Sequence, residues 1–172
     1  MNIRILTQPG PLKAAYHDLL EVPKLLEETK PDVVVHIGLA AERDYFALER
    51  GADRDGYHQY PDEARKVFTK GENKTAWGKS PARLDSSLDF NEIFGKWKAQ
   101  AGKGVELMVS DDVGSYVCGF VYYASLEYFW EKGGDRPAVF MHVPPLPGKD
   151  DLAKGKRVTL ALITAIAETI EK

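Results

Sequence analysis

Three short, nearly unbroken apolar runs constrain this chain more than any other feature. Val33-Val34-Val35-His36-Ile37-Gly38, Val105-Glu106-Leu107-Met108-Val109 and Ala138-Val139-Phe140-Met141-His142-Val143 are rich in β-branched and long apolar side chains. Such runs read as strands covered on both faces, as in a parallel sheet. Helical patterns lie between and after them: Val117, Val121, Ala124 and Tyr128 fall on one helix face, as do Leu160, Ile163, Ala167 and Ile170. Alternating strands and helices predict an α/β fold, a three-layer α/β/α sandwich with a mostly parallel, mixed sheet.

Upstream, Ile3-Arg4-Ile5-Leu6 reads as a further short strand. After the Gln8-Pro9-Gly10 break, Pro11 suits a first helical turn, and Leu12, Ala15 and Leu19 form a helical stripe. Pro23 opens a second helical stretch that ends before Pro31. Residues 53–84 lack a clear period, yet they carry Tyr57, Tyr60, Phe68 and Trp77. Disordered segments are poor in aromatics, so this stretch is expected to be an ordered excursion over the sheet edge.

Composition narrows the function. The 172 residues are 44% apolar, with a formal net charge of -3, which suits one globular domain and not a basic nucleic-acid surface. The longest largely apolar stretch, residues 158–167, is too short to span a bilayer, so no membrane partner is expected. The opening Met1-Asn2-Ile3-Arg4 has no charged-then-apolar leader, and Cys118 is the only cysteine. A cytoplasmic location follows as the simplest expectation. The four histidines show no HxH or HxxxH spacing, so neither a metal nor any other cofactor is expected.

Cys118 stands in Ser110-Asp111-Asp112-Val113-Gly114-Ser115-Tyr116-Val117-Cys118-Gly119, where a strand ends and a glycine-containing turn feeds a helix. A thiol in a first helical turn meets the positive end of the macrodipole and free amides, which favour thiolate and can bind an oxyanion. The competing reading is an inert cysteine packed as a small apolar residue. His142 lies at the carboxyl end of its run, before Pro144-Pro145-Leu146-Pro147. Ligands of parallel α/β sheets bind beyond the carboxyl ends of the strands, so neighbouring strands would bring thiol and imidazole together. A packed loop histidine is the alternative. An orienting carboxylate is then needed, and Glu42, Asp44 and Glu49 are the candidates, with a surface ion pair to Arg50 as the competing role for Glu49. His36 reads as a core or cross-strand histidine, and His17 and His58 as surface residues.

Three segments together resemble the pyroglutamyl peptidase I (pyrrolidone-carboxylate peptidase) family. Residues 110–126 are similar to its nucleophile segment. Phe140-Met141-His142-Val143-Pro144-Pro145-Leu146 is similar to its histidine segment, F-x-H-V-P-x-L. Val34-Val35-His36-Ile37-Gly38-Leu39-Ala40, followed by Ala47-Leu48-Glu49-Arg50, is similar to its third. The insertion gives the chain a eukaryotic, fungal-like cast. The resemblance implies one α/β domain over 1–172 with an insertion loop at about 53–84. It also implies a cysteine peptidase that removes N-terminal pyroglutamyl residues from small peptides through a thioester. By matched position Cys118 is the nucleophile, His142 the general base and acid, and Glu49 the orienter, with Leu39 and Val117 beside the substrate. The family's first strand and its T-G-F-x-P-F loop have no counterpart, so a shortened N-terminus with an exposed sheet edge is expected. The alternative is an impaired or inactive member acting as a binding or structural domain.

Overall fold

A strand that is apolar on both faces needs a cover on each. The computed structural model, which describes residues 2–171, shows what provides it. In chain order the elements are α1 (Tyr16–Leu19), α2 (Val22–Thr29), β1 (Val34–Leu39), β2 (Phe46–Glu49), β3 (Gly51–Asp53), α3 (Lys70–Trp77), β4 (Arg83–Asp85), α4 (Phe90–Gln100), β5 (Leu107–Ser110), α5 (Val117–Glu131), β6 (Ala138–Val143) and α6 (Lys149–Ile170). The central sheet has the order β1-β6-β2-β5, and β3 pairs with β4 in a separate small ladder. β1 runs parallel to β6 and β2 parallel to β5, whereas β2 and β6 are antiparallel. The sheet is therefore mixed and mostly parallel, as the apolar runs predict.

Side-chain alternation divides the sheet into two faces. On one face Phe46, Leu48, Val139 and Met141 pack with Trp97 of α4 and with Val158, Leu162 and Ile166 of α6. On the other, Val34, Ala138 and Phe140 pack with α5 and with residues of α1 and α2. Nine consecutive residues of α5, Gly119 through Glu127, are buried. A helix apolar all round must be covered on every side. The sheet covers one side of α5, and the 53–84 excursion covers another. Tyr57, Phe68 and Trp77 place their rings 5.2, 4.9 and 5.0 Å from that of Phe120. This aromatic packing, with a reciprocal capping box between Thr69 and Glu72, orders the excursion and gives it a helix of its own.

The N-terminal expectations are corrected. Ile3-Arg4-Ile5-Leu6 is not a strand: residues 2–8 form neither helix nor strand and are exposed. A short apolar run becomes a strand only where a neighbour completes its hydrogen bonds. The first helix begins at Tyr16 and not at Pro11, because tertiary contact anchors it there: the Asp62 carboxylate accepts the Tyr16 amide at 2.9 Å. Among the described residues no helix is long and apolar enough to cross a membrane.

Candidate active site

His142 lies near the carboxyl end of β6, in register with Gly38 of β1 and Ala47 of β2. Both neighbours are small, so the imidazole has room between them on the face that α5 covers. Its Nδ1 is 2.8 Å from Oε1 of Glu49. A carboxylate only accepts, so Nδ1 carries the proton and Nε2 is left with its lone pair as the basic atom. Glu49 is the last residue of β2, in register with Ser110 of β5 and Phe140 of β6, and it is completely buried. Burial works against its charge. Hydrogen bonds from His142 and Arg43, helped by the nearby Ser110 hydroxyl, outweigh that and hold its carboxyl below the usual carboxylate range.

Cys118 is the second residue of α5, in its first turn. Its Sγ lies over Gly38: a methyl group placed on Gly38 would be 2.9 Å from Sγ and 2.7 Å from the Phe140 ring. The Phe140 ring in turn sits 4.7 Å from the His142 ring, centre to centre. Thiol, imidazole and carboxylate thus follow one another across β1, β6 and β2. Among the described residues Sγ has no hydrogen-bond partner, so thiol and imidazole are not a bonded pair at rest.

The electrostatics of the thiol differ from the expectation at the helix start. Burial pushes the Cys118 thiol up to about 11, and the charges of Glu49 and Glu42 add to this. A charge at a helix terminus gains about 0.3–1 kcal/mol. That is less than the roughly 1.4 kcal/mol of a tenfold change in ionisation, so desolvation wins. At neutral pH Cys118 therefore rests as a protonated thiol.

The route that brings Cys118 to His142 also differs. β5 and β6 are not neighbours, and they run in opposite directions with β2 between them. Their carboxyl ends therefore lie at opposite ends of the sheet. Residues 111–116 carry the chain onto the sheet face, and the start of α5 delivers the thiol over Gly38.

The other candidates are placed as follows. Glu42 and Asp44 are not hydrogen-bonded to His142; Glu42 acts on the thiol through charge. Arg50 pairs with Asp111 at 3.2 Å and not with Glu49. His36 is the core histidine expected, with Nε2 2.8 Å from the Ser125 hydroxyl and its ring stacked on Phe140. Burial lowers its pKa to about 4, so it stays neutral. His17 pairs with Glu72 at the surface. Leu39 is exposed at the end of β1, in register with Val143, so its side chain lies on the face away from Cys118. Val117 opens α5 and packs partly buried beside Cys118.

Three residues escaped the sequence reading. Arg43 donates from Nη1 to the same Glu49 Oε1, at 2.6 Å, and from Nη2 to the Asp112 carbonyl at 3.1 Å. Gly38 and Gly119 are required by close approach: a Cβ at Gly119 would lie 2.1 Å from the Gly114 carbonyl oxygen. The glycines were visible as letters but carried no local turn signal. Nothing in the spacing pointed to Arg43.

The sequence profile of the pyroglutamyl peptidase family matches residues 12–170. The pyrrolidone-carboxylate peptidase of Pyrococcus furiosus is 33% identical over 136 residues, which are 77% of this chain and 62% of that protein. Rat pyroglutamyl-peptidase 1 is 32% identical over 154 residues, 87% of this chain and 68% of the rat protein. The match thus spans less than two thirds of the archaeal relative's length. A crystal structure of the Pyrococcus furiosus pyrrolidone carboxyl peptidase superposes with a TM-score of 0.72 at 28% identity, covering 93% of this chain and 79% of that one. The profile takes in all three residues of the thiol–imidazole–carboxylate row, and the fold that aligns them is shared, so the chain belongs to the pyroglutamyl peptidase family.

Proposed function

We propose that this chain is a cysteine peptidase that removes an N-terminal pyroglutamyl residue from small peptides, using Cys118, His142 and Glu49. The observation that carries this reading is the buried Glu49–His142 couple, 2.8 Å across, on the sheet face where the Cys118 helix begins. As the thiol attacks the scissile carbonyl, Nε2 of His142 takes its proton, and Glu49 stabilises the resulting imidazolium. Amides of the first turn of α5 face the developing oxyanion. The tetrahedral species collapses to a thioester as the imidazolium gives its proton to the departing amine. Water, deprotonated by the same imidazole, then releases 5-oxoproline and restores the thiol.

A pyroglutamyl residue has no terminal ammonium, because its nitrogen is closed in a lactam. Selectivity therefore needs a small pocket with groups that pair the lactam N–H and C=O. The backbone at Leu39 and the side chain of Val117 are proposed as its borders. A substrate without the lactam carbonyl leaves buried groups unpaired, which is worth roughly 10⁴-fold in discrimination.

The test is hydrolysis of pyroglutamyl-aminomethylcoumarin against the prolyl analogue. Turnover of the first and not the second is expected. No release from either rejects the assignment, and equal release rejects the lactam pocket. Gly38→Ala probes the site's geometry in the same assay. Its methyl displaces either Sγ or the Phe140 ring. A misplacement of about 1 Å costs roughly a hundredfold in kcat/KM. A variant that folds and keeps full activity would show that the thiol does not work from above Gly38.

A further inference from the structure

Arg43 joins the carboxylate end of the row to the turn that precedes α5, and the mechanism above gives it no role. Its backbone is fixed in the turn after β1, where its N–H donates to the Ala40 carbonyl at 3.1 Å. Its side chain is mostly buried, and the guanidinium lies 5.6 Å from the centre of the Tyr45 ring. From there one nitrogen reaches the Glu49 carboxylate and the other the Asp112 carbonyl.

Asp112 belongs to the turn that seats the nucleophile helix. Its Oδ1 accepts the Gly114 amide at 2.9 Å, and its own amide donates to the Ser110 hydroxyl at 3.2 Å. Gly114 has φ +84°, and its carbonyl oxygen packs against Gly119 so closely that no Cβ fits there. Gly119 follows Cys118 directly. A continuous path therefore runs from the Glu49 carboxylate through Arg43, Asp112 and Gly114 to the start of α5. The turn is also anchored at its apolar positions, by the buried Val113 side chain and by the Tyr116 ring, edge-on to Tyr16 at 6.1 Å, but its polar side has less to hold it. Asp111, Asp112 and Gly114 are exposed, and the ion pair between Arg50 and Asp111 is open to solvent and therefore weak.

We infer that Arg43 is a positioning residue of the site: its guanidinium fork joins the carboxylate that orients His142 to the turn that seats Cys118, so that base and nucleophile are held as one unit. The fork geometry matters, because a planar guanidinium satisfies two acceptors in fixed directions and a point ammonium does not. The geometric part stands on the contacts alone; its kinetic consequence rests on the peptidase reading.

The test uses Arg43→Lys, which keeps the positive charge beside buried Glu49 but not the two-headed bridge, with Arg43→Met as the variant lacking both. Amide hydrogen exchange is followed in peptides covering residues 111–117 and, as a control, residues 138–142 of β6. In Arg43→Lys, exchange at 111–117 should rise about tenfold, the weight of one hydrogen bond, with β6 unchanged. On the pyroglutamyl substrate, kcat should fall about tenfold or more with KM within about twofold. Unchanged exchange at 111–117 in the lysine variant overturns the inference, as does full kcat in that variant. A wild-type chain that turns over no pyroglutamyl substrate rejects the peptidase assignment, while the exchange result still decides whether Arg43 clamps the turn. If Arg43→Met fails to fold, the lysine variant alone gives the answer.

Discussion

Cys118→Ser is expected to lower kcat/KM on a pyroglutamyl substrate by roughly 10⁴-fold or more while leaving the protein folded, since loss of the nucleophile in such a row removes nearly all turnover. The environment makes the loss severe. Burial, Glu49 and Glu42 already push the thiol up to about 11, and the same surroundings act harder against a hydroxyl, which is a far weaker acid. Retained turnover in the serine variant removes the cysteine-peptidase reading. Because Cys118 is the only cysteine, alkylation by iodoacetamide and loss of activity should coincide at one label per chain. The same shift sets the pH dependence of that alkylation. The thiolate is the reactive form, and its fraction grows as pH rises toward the thiol's value. With that value about 11, the alkylation rate should climb roughly tenfold per pH unit between pH 7 and 10. A plateau near neutral pH would mean that a thiolate–imidazolium pair already exists at rest.

His142→Ala is expected to cost the second-largest amount, roughly 10³-fold or more in kcat, because it removes the base that the proposed mechanism uses to take the thiol proton. The variant should remain folded but be about 1–3 kcal/mol less stable in urea. The imidazole is buried between Gly38 and Ala47, and Glu49 Oε1 loses one of its two donors when it is removed. Glu49→Gln should be milder in rate. A glutamine oxygen still accepts from Nδ1–H and from Arg43, so the tautomer and placement survive and only the charge opposite the imidazolium is lost. The amide nitrogen would take the place of Oε2, which has no partner among the described residues. A rate loss for Glu49→Gln equal to that of His142→Ala would mean that the carboxylate does more than orient.

Much of the scaffold was legible because apolar periodicity is a local property. The runs at 33–38, 105–109 and 138–143 became β1, β5 and β6 within a few residues, and the stripes from Val117 and toward Ile170 became α5 and α6. β2 was not legible. Phe46-Ala47-Leu48-Glu49 ends on a buried carboxylate, and a charged residue in so short a run argues against a covered strand until its partners are known. Ile3-Arg4-Ile5-Leu6 shows the converse, a plausible pattern with no neighbour to pair with.

By itself the sequence determined which residues were available for chemistry. It holds one thiol at a strand–turn–helix junction, one histidine at the end of an apolar run, and a few carboxylates after another. It also set the order of layers, since the helical and extended periods alternate along the chain. The tertiary structure decided the rest. Strand direction placed Glu49 beside Phe140 and His142 beside Ala47, because β2 runs against β6. The cover over α5 left Cys118 partly buried, and that desolvation, with two carboxylates from another segment, keeps its proton on. Arg43 acquired its two partners only when Glu49 and Asp112 were folded to either side of it. Hydrophobic period depends on neighbours along the chain, whereas desolvation, Coulomb energy and register depend on distances between segments far apart in it, and only the folded chain sets those distances.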